Sequence, residues 1–144
     1  MKKSLIALLV VVGLLAMSGM WFVSTNNSFV RLDEGVKASW SEVESQYQRR
    51  LDLIPNLVNT VKGYAQHEKE TLEGVIEARA KAVSTTQTVS KDAASDPAKF
   101  KQFMEAQNGL SGALGRLLVV VEKYPDLKAN ENFRDLQAQL EGTE

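Results

Sequence analysis

FVRLDEGVKASWSEVESQYQRRLDLIPNLVNTVKGYA, residues 29–65, sets the architecture of this chain. Its apolar residues fall at Phe29, Leu32, Val36, Trp40, Val43, Tyr47, Leu51, Ile54, Val58, Val61 and Ala65. Steps of three or four throughout place them on one face of a helix, held for about ten turns. Such a helix is on the order of 55 Å long. A stripe of that length needs long partners, and its mean spacing suits a helical bundle better than a strict heptad coiled coil. Pro55 falls inside the stripe. It has no N–H to give the carbonyl of Leu51, and its ring crowds that carbonyl. The apolar pattern stays in phase on both sides, which predicts one helix kinked at Pro55 rather than two helices.

Downstream, a second helix is expected over Glu68–Val83 with Leu72, Val75, Ile76, Ala80 and Val83 inward. The polar stretch STTQTVSKDAAS, residues 84–95, reads as a loop. Asp96 followed by Pro97 is an N-cap and first-turn pair. It opens a third helix that buries Phe100, Phe103, Met104, Gln107, Leu110, Leu114, Leu117, Leu118 and Val121 and ends at Tyr124, ahead of Pro125. Asn130 caps a fourth helix carrying Phe133, Leu136 and Leu140. No strand-like alternation of useful length occurs. The fold class is therefore all-α, an antiparallel up-and-down bundle of long helices, with short connections setting successive helices side by side.

Upstream, LIALLVVVGLLAMSGMWFV runs from Leu5 to Val23, nineteen residues without a charge. About 20 apolar residues span a bilayer as a helix. Lys2 and Lys3 precede the run, and Trp21 and Phe22 close it at headgroup level. Residues 1–25 thus read as an N-terminal transmembrane anchor, with Leu5, Leu9, Val12, Leu15, Trp21 and Phe22 toward lipid, and residues 26–144 as the helical body. The competing reading is a cleaved signal peptide with Ala16 and Ser18 at its processing site, but the apolar run continues beyond it. The positive-inside rule, applied to Lys2, Lys3 and the amino terminus, keeps the N-terminus cytoplasmic and turns the body outward, with a single pass through the membrane.

Composition narrows the function classes. The 144 residues carry 17 basic and 18 acidic side chains, so no basic stripe offers itself to nucleic acid. The chain has no cysteine, and its one histidine, His67, has no partners at ligand or triad spacing. We expect no catalytic residues, no metal and no cofactor. Gly109, Gly112 and Gly115, in NGLSGALGRL, lack the strand and the lysine of a phosphate loop. Because each costs a helix about 1 kcal/mol against alanine, they predict close approach of another helix. Arg49, Arg50, Asp52, Asn56 and Asn59 surround Pro55, where a freed carbonyl can hold a partner or a hydrogen bond inside the bundle.

Two stretches carry a family resemblance. ASWSEVESQYQRRLDLIPNLVNTVKGYAQHEKETLEGVIEARAKA, from Ala38 to Ala82, and LSGALGRLLVVVEKYPDLKANENFRDLQAQLEGTE, from Leu110 to Glu144, resemble the LemA family of bacterial membrane-associated proteins. The strings LIPNLV, KGYAQHE, YPDLKAN and LEGTE are specific to it. The resemblance implies an N-terminal membrane helix before an antiparallel helical bundle, and it supplies no catalytic residues. Family members usually continue past the EGTE string, whereas this sequence stops at Glu144, which leaves the length of the fourth helix open.

The resulting expectation is a membrane-anchored scaffold or interaction protein that works by association, with lipid, further copies of itself and other membrane proteins as partners. The alternative is an accessory adaptor for a membrane-associated enzyme such as a protease. Self-association follows from unequal lengths, since a fourth helix of about 22 Å cannot cover the whole first stripe. The uncovered part, at Phe29, Leu32, Val36 and Trp40, is then the oligomer interface.

Overall fold

The computed structural model describes residues 2–143, with side chains described throughout that range except at positions 2–7, 10, 91 and 92. Every regular element is a helix: α1 (Lys2–Tyr64), α2 (Lys69–Ala93), α3 (Pro97–Val121), α4 (Pro125–Ala129) and α5 (Glu131–Glu141). The chain divides into two compact units, Met1–Ser39 and Trp40–Glu144.

In the second unit, α1 runs unbroken through Pro55. The carbonyl of Leu51, which the proline ring cannot bond, accepts a hydrogen bond from Nε of Arg79 on α2 at 2.7 Å. A defect in one helix is thereby repaired by a side chain of its neighbour, and the repair fixes where α2 lies against α1. Leu51, Ile54, Leu57, Val58 and Val61 of α1 pack with Leu72, Val75 and Ala82 of α2. Leu110, Ala113, Leu114, Leu117 and Val121 of α3 complete the cluster, which Leu127 and Phe133 close at the far end.

The helix ends follow local chemistry. Oδ1 of Asp96 accepts from the backbone N–H groups of Ala98 at 2.8 Å and Lys99 at 3.3 Å, with Pro97 in the first turn. Oδ1 of Asn130 accepts from the N–H of Phe133 at 3.0 Å and so starts α5. The amide of the same Asn130 donates to the Tyr64 hydroxyl at 3.0 Å, and the Tyr124 hydroxyl donates to Glu68 at 3.2 Å. These two bonds hold the distal end together.

Three boundaries differ from the sequence reading. The stretch read as a loop is helical as far as Ala93. Its inward positions, Thr86, Val89, Ser90 and Ala93, keep the helical spacing but are polar or small, so hydrophobic periodicity does not register them. The same phase turns Ile76 outward, at 54% exposure, and leaves Ala82 buried in its place. On α3, Phe100 and Leu118 are likewise exposed rather than buried. Finally, α3 stops at Val121 instead of Tyr124, because Pro125 opens the short helix α4 as its first residue, and α5 ends at Glu141.

The glycine expectation is corrected as well. Gly109, Gly112 and Gly115 lie on the side of α3 facing away from Leu110, Ala113, Leu114 and Leu117, and a Cβ on any of them would meet nothing within 4 Å. Among the described residues no neighbouring helix comes into contact with them, although Gly115 lines a cavity with Leu57 of α1 and Leu140 of α5, so they cost helix stability without a packing return there. Replacing all three by alanine should therefore stabilise the body by about 2–3 kcal/mol in chemical denaturation of the detergent-solubilised chain. A loss of stability would show that a helix of another molecule uses that face.

Candidate membrane and self-association interface

The first unit is the N-terminal part of α1, and its described side chains from Leu8 to Ser39 are exposed apart from the half-buried Thr25. Leu9, Val12, Leu15, Trp21 and Phe22 of the expected anchor all lie on this helix with their surfaces open, Trp21 at 72%. The side chain of Leu5 lies outside the described residues. Apolar groups here point in every direction around the axis rather than along one stripe. Ser18 turns its hydroxyl inward, donating to the Leu15 carbonyl at 3.0 Å, and Ser28 does the same to Ser24 at 3.0 Å. These two hydroxyls are thus satisfied within the helix itself.

Among the described residues, no helix is long and apolar enough to cross a membrane. The nineteen-residue uncharged run of the sequence includes positions 5–7 and 10, whose side chains lie outside that description. The transmembrane expectation therefore draws no support from the helix as described.

Beyond this segment the helix changes character. Phe29 (66% exposed), Leu32 and Val36 stand at three- and four-residue spacing on one side. Lys37 pairs with Asp33 at 2.7 Å and Glu34 at 3.1 Å on the same helix. The hydrogen bond to Asp33, joined by that to Glu34, raises the Lys37 pKa above its ordinary value. These contacts are exposed, one turn apart along the helix, and contribute little to stability.

Trp40 does not belong with the other three. Its Nε1 donates to the carbonyl of Ser90 at 2.7 Å, and its ring lies 5.3 Å from Phe103, edge-on at 65°, and 6.0 Å from Phe100. Tyr47 meets Phe103 from the next turn at 5.0 Å, nearly perpendicular at 83°. A short hydrogen bond from the Ser90 hydroxyl to Glu44 ties the same place. The cause of the correction is the length of α2: its last turns reach Trp40 and cover it, so the exposed set ends at Val36. Sequence reasoning missed Ser90 and Arg79 as the residues that seat α1, since a serine in a polar stretch and an arginine at a helix surface carry no periodic signal. The proline did point at Leu51 as a carbonyl in need of a donor.

Elsewhere, His67 is exposed beside the α1–α2 turn. Among the described residues, no group of three or more His, Cys, Asp or Glu side chains is arranged to hold a metal ion.

Comparison with known proteins places these features. A family model described as "LemA family" matches residues 39–144. Two proteins of Paramagnetospirillum magneticum, Magnetosome protein MamQ 1 and Magnetosome protein MamQ 2, are each 27% identical to the chain over 79% of its length and 47% of theirs. Magnetosome protein MamQ of Magnetospirillum gryphiswaldense shows the same identity and coverage, 27%, 79% and 47%. The chain spans about half the length of these curated relatives.

The split between Trp40 and its neighbours has a direct consequence. Trp40→Ala should destabilise the bundle by about 3 kcal/mol, within the range for deleting a packed aromatic ring, while Leu32→Ala should leave the melting temperature of the body unchanged. Equal effects of the two substitutions would contradict the division.

Proposed function

The chain belongs to the LemA family, and from that premise we propose that it is a non-catalytic, membrane-anchored scaffold that associates with further copies of itself at a bacterial inner membrane. The observation that carries this reading is the first unit: a helix apolar on all sides through Val23, with its described side chains over that stretch exposed within the unit. A helix of that kind is stable only inside a core or in lipid. The sequence from Leu5 to Val23 supplies nineteen uncharged residues, against the roughly 20 a bilayer requires. Lys2 and Lys3 ahead of it keep the N-terminus on the cytoplasmic side and send the body into the periplasm.

Self-association rests on Phe29, Leu32 and Val36, an apolar stripe that begins just past the anchor and is exposed within its own unit. Anchoring all copies in one membrane aligns these stripes and raises their effective concentration, so that a small lateral contact suffices. The relatives named for the magnetosome are named for an assembly and not for a reaction, which agrees with a structural role. A chain without cysteine, whose single histidine sits at the surface, offers little to chemistry.

Two measurements test the reading. The native chain should stay in the membrane pellet after alkaline carbonate washing, and Leu9→Lys combined with Leu15→Lys should release it; release of the native chain would refute the anchor. Because the sequence has no cysteine, Leu32→Cys and Val36→Cys should each form disulfide-linked pairs in native membranes, with Glu77→Cys silent as the control. Absence of pairs at both positions refutes self-association through this stripe. A monomer that copurifies with a second membrane protein would favour the adaptor role instead.

A further inference from the structure

The core of the second unit is not continuous along its length. The large apolar cluster extends from Leu127 and Phe133 as far as Leu51 on α1, Ala82 on α2 and Leu110 on α3. Val89, Ala93, Phe103 and Ala106 are also buried but lie outside that cluster, with Trp40 and Tyr47 packed on Phe103. At the boundary each of the three helices buries a polar side chain. They are Arg50 on α1, Thr86 on α2 and Gln107 on α3, all at 7% exposure or less.

Thr86 and Gln107 lie within one helical turn of each other along the pair. The antiparallel pair α2 and α3 turns at 94–96, so positions equally far from that turn face each other, and these two differ by less than one helical turn of about 3.6 residues. Along α2 the order is Ala82, Thr86, Val89, and along α3 it is Phe103, Gln107, Leu110.

The members of this layer on α2 and α3 are poorly satisfied. Gln107 is 2% exposed, yet its Oε1 and Nε2 both lack a hydrogen-bond partner, as does Oγ1 of Thr86. A buried polar group left unmatched forfeits its hydration with no return, and a half-satisfied layer is weaker than an apolar one. Beyond the layer, the small core leans on Trp40, Tyr47 and Phe103 and on the bonds that Ser90 makes to Trp40 and Glu44. Regions of this kind open below the global unfolding free energy.

We propose that the layer formed by Arg50, Thr86 and Gln107 is a built-in line of weakness. The turn-bearing ends of α2 and α3, residues 86–106, unfold away from α1 as one cooperative unit while the large core stays closed. Opening uncovers Trp40, Tyr47 and Phe103 together, a concealed aromatic surface that is available only in the opened state. The device is independent of whether the chain self-associates through Phe29, Leu32 and Val36.

Hydrogen exchange of the full chain in detergent micelles, read by mass spectrometry, tests it. Peptides covering residues 86–93 and 98–106 should exchange at one common rate, at least about tenfold faster than those covering 110–121. Thr86→Val and Gln107→Leu, made separately, should each slow both of the first two regions by about tenfold and leave 110–121 unchanged. The exposed control Gln102→Leu should alter none of them. Uniform protection along α3, a substitution that slows only its own helix, or no slowing at all would overturn the proposal. Should Gln107→Leu fail to fold, the layer is a requirement of folding rather than a line of weakness, and the proposal fails on that result too.

Discussion

The carbonyl of Leu51 is the constraint on which the bundle turns. Pro55 removes its helical donor, and a buried carbonyl left without one is costly. Arg79 supplies the missing hydrogen bond from α2. Its guanidinium is permanently charged and fits a lone carbonyl well, so the bond belongs to the stronger class. Through it, α2 is tied to α1 at Leu51. That attachment presents Leu72, Val75 and Ala82 to Leu51, Ile54 and Val58, and α3 then packs into the remaining side. It also fixes how far α2 reaches along α1, and hence that Ser90 meets Trp40.

Much of this was legible in the sequence because the first helix carries its apolar residues at unbroken helical spacing. The unbroken pattern places Pro55 inside one helix, and α1 does run through it. The caps at Asp96 and Asn130 were legible too, since Asp-Pro and a lone asparagine ahead of an acidic turn have few other uses. The tail of α2 was not legible. Its inward face consists of Thr86, Val89, Ser90 and Ala93, and only tertiary contacts with Trp40 and Glu44 make such residues helical. The glycines of α3 misled for the opposite reason: their cost in a helix is clear from sequence, but which face they occupy depends on Leu110, Leu114 and Leu117 claiming the inside.

Two kinds of surface divide the labour along α1. In the second unit the apolar stripe, apart from the exposed Val43, is covered by α2 and α3. In the first unit the described apolar side chains are open, all round through Val23 and on one side at Phe29, Leu32 and Val36. An all-round apolar surface matches a fluid apolar solvent, whereas a one-sided stripe matches another protein. The membrane and self-association roles proposed for the chain follow from that change in pattern.

The central claim is that Arg79 is needed because Pro55 is there, and a double-mutant cycle measures that dependence directly. Alanine at position 55 restores an N–H that can reach the Leu51 carbonyl in the ordinary helical way, which leaves the guanidinium with nothing to repair. Arg79→Met keeps most of the packing of the side-chain stem in both backgrounds, so the difference between backgrounds isolates the hydrogen bond. In urea titrations followed by circular dichroism, Arg79→Met should cost about 2 kcal/mol in the native chain and less than about 0.5 kcal/mol in the Pro55→Ala background. Equal costs in the two backgrounds would contradict the account.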